Sequence, residues 1–236
     1  MKQGLLAAPT HTHLLATLTK KCYRAFRTKL VEKQDIGNQD LMAIDTAATF
    51  VKEHYQILET NHASAILQND FPREWQDLME TLANFRLRRT DIIAPGGRKS
   101  SIAESLDAEL YSRGWQEKQF KTSIIVDENT RITPTHKVDC YKNRVAVEIE
   151  WNNKDPFFDR DLNNFRLLFE REAISVGVII TRSTELQDIF NELGKGTSYG
   201  SSTTHWTKLL PRIYGGSAGG CPVIAFGITK ALYVDQ

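Results

Sequence analysis

The sequence predicts an α/β fold in which a mixed central β-sheet is flanked by helices, with an N-terminal helical region packed on it. Three observations carry this expectation. Residues 115–151 read as consecutive strands joined by turn residues, an antiparallel meander. Residues 174–181 form an unbroken apolar run of the kind found in central strands, and helical patterns lie on both sides of that run. At 236 residues the chain is long enough for one sizeable core. Its division is read as a helical region over residues 1–99 and a sheet-bearing core over residues 100–236, together one compact body.

Composition excludes several classes. With 41% hydrophobic and 25% charged residues the chain has the make-up of an ordinary globular protein. A formal net charge of +1 argues against a non-specific polycation. It still leaves room for a local basic surface, because acids gathered at a site mask lysines and arginines in the sum. Cys22, Cys140 and Cys221 lie far apart with no CxxC pair, so neither a disulfide framework nor a zinc knuckle is expected. The N-terminal apolar run is too short for a secretory signal, and no stretch approaches the ~20 apolar residues of a membrane span. A cytoplasmic protein free of membranes is the expectation.

The helical region opens with residues 14–30, where Leu14, Leu18, Cys22, Phe26 and Leu30 recur at three and four, opposite Lys20, Lys21, Arg24 and Arg27. That basic face either touches DNA or is simply solvated. His11 and His13 have no acid or cysteine beside them and read as loop histidines. Further helices are expected over residues 41–58 and 73–89. The Gly-rich basic loop of residues 94–101, with Arg98 and Lys99, suits a phosphate backbone or a plain linker. Ser100 and Ser101 are placed to cap a helix through Ser112, with Glu104 in its first turns and Gly114 at its end. Residues 115–126 then read as a strand with Glu117 near its start. After the meander, Asp155-Pro156 signals the start of a helix to about residue 172. A helix over 185–193, the glycine- and hydroxyl-rich loop of 194–204, a helix over 205–212 and a buried strand over 222–228 complete the chain. The glycines at 215–220 lack the following Lys-Ser/Thr, which excludes a P-loop.

The chemistry concentrates in residues 135–155. With a period of two, Val145, Val147, Ile149 and Trp151 face one way and Ala146, Glu148, Glu150 and Asn152 the other, as in a strand with one buried face. A tight Lys142-Asn143 connection folds the preceding strand back beside it and brings Asp139 towards the same spot. Three converging acids repel one another unless a hard cation such as Mg²⁺ sits among them. The alternative is an ordinary solvent face with a hairpin acid. Asn152, Asn153 and Lys154, which continue the polar face, are groups suited to phosphates and base edges.

Asp139, followed after eight residues by Glu148-Ile-Glu150-Trp and then by Asn153 and Pro156-Phe157, resembles the catalytic stretch of type II restriction endonucleases of the BglII/BstYI kind, a branch of the PD-(D/E)xK nucleases. The likeness runs from about Ile102 to Ile228. It takes in Gly114-Trp115, Val176-Gly-Val178, Gly196-Thr-Ser198-Tyr199 and Pro222 to Gly227. The resemblance implies a restriction-endonuclease-like core and Mg²⁺-dependent hydrolysis of double-stranded DNA, with one or two ions per site. It implies that Asp139, Glu148 and the backbone carbonyl of Ile149 hold the ion, and that Glu104 or Glu117 is an auxiliary acid. Glu150 stands where most of the superfamily has lysine, so it orients or deprotonates water or helps hold a second ion. The loop carrying Ser198, Tyr199 and Ser201 falls at the family's major-groove recognition loop, and Asn153 and Lys154 compete for its base-contacting position after the strand. A palindromic, GATC-centred target, 5′-phosphate ends, a homodimer, and a cognate DNA methyltransferase in the cytoplasm of a bacterial or archaeal cell follow by the same resemblance. A repair nuclease of the same fold and a non-cutting DNA-binding module are the competing readings.

Overall fold

The computed structural model describes residues 38–94 and 99–235. The expected helix over 14–30, His11, His13 and Arg98 lie outside them. The chain divides into two compact units, Met1–Met42 and Ala43–Gln236, and the second holds the sheet. In chain order the elements are α1 (Asn38–His54), β1 (Tyr55–Thr60), α2 (Ala63–Asp70), α3 (Pro72–Asn84), β2 (Leu87–Arg88), α4 (Arg89–Ile93) and α5 (Ser101–Ser112). They continue as β3 (Gln116–Val126), β4 (Asn129–Lys142), β5 (Val145–Glu150), α6 (Phe157–Glu170), β6 (Val176–Arg182), α7 (Leu186–Glu192), α8 (Trp206–Tyr214) and β7 (Val223–Ile228). A 3₁₀ turn (Lys230–Leu232) and β8 (Tyr233–Val234) follow, with β8 parallel to β2.

The main sheet has six strands in the order β1-β7-β6-β5-β4-β3. Its middle is parallel, β5 with β6 and β6 with β7, while β1, β4 and β3 pair antiparallel. The mixed sheet flanked by helices is therefore the expected one. Its hairpin turn is Asn143-Arg144, with φ of 43° and 70°, one residue later than expected. Two left-handed residues in a row give the tight turn whose twist suits antiparallel strands.

Both faces of the centre are covered, which explains why β5, β6 and β7 are buried along their whole length. On one face Phe158, Leu162, Phe165 and Leu168 of α6 pack with Ala146, Ile179, Ala225 and Leu209 of α8. On the other, Cys140, paired with Val147, meets Asp107 of α5. The expectation of one buried face on β5 is corrected accordingly: the acids' side lies beneath α6 and not in water. α6 packs directly over Gly177, where a Cβ would overlap the ring of the fully buried Phe165. Gly177→Ala should destabilise by about 1–3 kcal/mol through overpacking, measured as a lowered Tm; an unchanged Tm would show that α6 can shift away.

The helix expected over 41–58 ends at His54, and Tyr55–Thr60 is the edge strand β1. Pairing with β7 overrides the local pattern, and the buried Tyr55 hydroxyl donates to Leu82 O at 2.7 Å. Asn61 and His62, with φ of 51° and 58°, then turn the chain into α2, which periodicity did not reveal. The helix expected to run to Arg89 stops at Asn84, because Phe85 is extended.

Candidate active site

Two local features bring Asp139 and Glu148 together. Gln116 and Lys118 of β3 face Tyr141 and Val138 of β4, so β4 carries one extra residue at Asp139-Cys140. This bulge takes the Asp139 N–H out of the ladder. It donates to Glu148 Oε2 at 3.4 Å, while Asp139 Oδ2 accepts the Ile149 N–H at 3.0 Å. Each acid is thus tied to the other's strand. From α5, the Tyr111 hydroxyl donates to Asp139 O at 3.0 Å, and the Cys140 thiol donates to the buried Asp107, which also takes the Lys99 ammonium. Ser100 caps that helix as expected, accepting the Ala103 N–H.

A cleft of about 410 Å³ opens beside the pair, with Asp139, Ile149, Glu150, Asn152 and Asn153 in its wall. Glu148 lies beneath the surface. It is fully buried, and its Oε1 has no hydrogen-bond partner. Glu150 turns towards α6, where Arg160 Nη2 stands 3.2 Å from Oε1 and Asn153 Nδ2 donates to Oε2 at 2.9 Å. Asp161 completes this group, with Arg160 Nε at 2.8 Å from Oδ1 and Oδ2 unpartnered.

Burial, and then the Asp161 and Asp139 charges, push Glu148 well above the usual carboxylate range. Burial and the neighbouring Asp161 carry Glu150 up to about 9, and burial raises Asp161 as well. Such a group either keeps protons or takes up a cation.

Among the described residues no three His, Cys, Asp or Glu side chains are placed to hold one metal ion. The expected convergence of three acids is corrected: Glu150 is bonded instead to Arg160 and Asn153. What remains is two joined carboxylates, one with a buried orphan oxygen, and the backbone of Ile149. An all-oxygen set of this kind suits a hard divalent cation that keeps several waters.

Glu117 lines the cleft, ion-paired with Lys137 at 2.8 Å, whereas Glu104 is exposed on α5 and does not line it. Lys99 lines the cleft too, with its charge bound to Asp107. The loop after α7 is brought to the site: Lys154 bridges Thr203, Asp155 N–H donates to Ser202 O, and Thr204 N–H to Asn153 O at 2.7 Å. Ser198, Ser201 and Lys154 are exposed. Tyr199 departs from the expected base reader, since its ring is buried, stacked 4.0 Å from Phe190 and edge-on to Trp151. It anchors the loop. Asp161, Arg160 and Arg182 were not anticipated. Asp161 had a signal: it interrupts the apolar stripe Phe158, Leu162, Phe165 at helical spacing.

No curated protein matches the chain in sequence. The family model described as Restriction endonuclease BglII/BglIII matches residues 55–228, beginning well before Ile102, at the first residue of β1. That span takes in every strand of the main sheet, the bulge, the cleft and the loop beside it. A match over well more than half the chain, on a fold of the expected kind, makes this protein a member of the BglII/BglIII restriction endonuclease family, a type II site-specific deoxyribonuclease acting on double-stranded DNA.

Proposed function

We propose that the protein is a Mg²⁺-dependent endonuclease that hydrolyses both strands of a short palindromic site as a homodimer, with the cleft beside Asp139 as its active site. The observation that carries this reading is the tying together of the two strands, Asp139 N–H to Glu148 Oε2 and Ile149 N–H to Asp139 Oδ2, with the orphan Oε1 of Glu148 beside it. Asp139, Glu148 and the Ile149 carbonyl would hold the ion. A divalent cation, when bound, supplies a water of lowered pKa and stabilises charge on the leaving 3′ oxygen.

The chain's own residues do the rest. Glu150, in the cleft wall, accepts the proton of the attacking water. The water oxygen bonds to phosphorus as the P–O3′ bond breaks. The 3′ oxygen takes a proton from solvent, leaving a 5′-phosphate. Asn153 orients Glu150 through its 2.9 Å bond, and Glu117 serves as the auxiliary acid at the cleft wall. Asn152 in the cleft wall and the exposed Lys154, Ser198 and Ser201 serve as contacts to bases and phosphates. A GATC-centred target, a 5′ overhang and a protecting methyltransferase rest on resemblance to the family.

Digesting a sequenced plasmid with Mg²⁺ and mapping the ends tests the whole reading. Discrete fragments sharing one palindrome and carrying 5′-phosphates are expected. Cutting confined to forks or junctions, or DNA binding without any cutting, would replace it with the repair or non-catalytic alternative.

A further inference from the structure

The cleft presents an electrostatic problem for a phosphodiester. Asp91, Glu117, Asp139 and Glu150 all line it. Like charge at this range repels strongly in a partly buried site. Among the described residues, its cationic lining is Lys99, already bonded to Asp107, and Arg160. His136 also lines it, but burial and the Arg160 charge lower its pKa, which favours the neutral ring.

Arg160 is held as a preset cation. It rises from the first turn of α6, its guanidinium stacks 4.3 Å over Phe157, Nε bonds Asp161 and Nη2 bonds Glu150. Nη1 makes no hydrogen bond to the described protein, and the side chain remains about a third exposed, at 32%. An arginine fixed by two carboxylates and a ring, with one nitrogen left for a substrate in the cleft, is arranged to donate to a non-bridging phosphate oxygen without reorganising.

We infer that Arg160 is a further catalytic residue: a cation delivered from α6 contacts the scissile phosphate and supplies the positive charge that Glu150 cannot. This rests on the proposed site at Asp139. Water adds to phosphorus and the P–O3′ bond breaks as described, while Arg160 transfers no proton and offsets the charge that builds on the equatorial oxygens.

The test is single-turnover cleavage of a duplex carrying the plasmid-mapped site, by Arg160→Ala, Arg160→Gln and Asp139→Asn, with DNA affinity measured by anisotropy in Ca²⁺. Both Arg160 variants should cut about 10²–10³-fold more slowly while their affinity changes little. Added guanidinium should restore part of the rate to Arg160→Ala. Should the alanine variant fail to fold, the glutamine variant, which keeps a donor towards Glu150, is read alone on rate and affinity. Wild-type rates in the folded variants, or a loss that is entirely in affinity, overturn the role of Arg160. An inactive Asp139→Asn beside fully active Arg160 variants would refute this inference alone, and an active Asp139→Asn would refute the site itself.

Discussion

Glu148→Gln should abolish cleavage and, at alkaline pH, raise the thermal stability of the metal-free protein. Both effects come from one buried carboxyl. Its Oε1 has no partner, and Asp161 and Asp139 lie near enough to add their charge to the effect of burial. The folded-state pKa is therefore raised above the unfolded value. The folded protein holds the Glu148 proton more tightly, so this contribution to stability is present below the unfolded pKa near 4.5 and is lost as pH rises towards the folded value. Glutamine has no such proton to lose. Its Tm should thus exceed that of the wild type by more at pH 8–9 than at pH 5. Cleavage should be lost, a fall of more than about 10³-fold, since a neutral amide is a poor ligand for a hard cation. Asp139→Ala and Glu148→Ala should lose cleavage as completely while still binding DNA. Undiminished cutting by any of these variants would remove the assigned roles, and a lower alkaline Tm for Glu148→Gln would show that the buried charge is compensated.

The acids were legible because spacing in a strand is rigid. A period of two places Glu148 and Glu150 on one side of β5 whatever covers it, and a short hairpin must return β4 beside it. What covers that side was not legible. Periodicity cannot tell water from a packed helix, so the helix expected after Asp155-Pro156 was not placed over the acids and its Asp161 was missed, and with them the reason why Glu150 bonds to Arg160 and Asn153. The bulge at Asp139-Cys140 also escaped, since an extra residue in a ladder shows only when both strands are in place. Where local pattern and long-range pairing compete, as in β1, the partner decides: Tyr55–Thr60 continues a helical periodicity yet is held extended by β7.

Arg182 is the residue on which the loop beside the cleft depends. It ends β6 opposite Ile228, is 1% exposed, and donates through Nη2 to Tyr199 O at 2.9 Å and Thr203 Oγ1 at 3.0 Å. Its guanidinium lies 5.3 Å from the centre of the Phe190 ring, on which Tyr199 stacks. Burial pushes its pKa down to about 10, and Nε and Nη1 have no partner. The charge is thus costly, and what it provides is the position of the loop. Arg182→Ala removes the anchor and leaves a cavity, so a loss of about 3 kcal/mol is expected, lowering Tm by roughly 6–12 °C. Arg182→Met fills much of the volume without a buried charge. Relief of desolvation then offsets the lost bonds, and stability should stay within about 1 kcal/mol of wild type. The loop carrying Ser198 and Ser201 would no longer be tied to β6. Amide exchange over residues 196–204 should quicken in the methionine variant, and cleavage of near-cognate sites should rise relative to the true one. If methionine destabilises as much as alanine, the charge itself holds the fold. If exchange and discrimination both stay at wild-type values, the stack of Tyr199 on Phe190 is sufficient to hold the loop without Arg182.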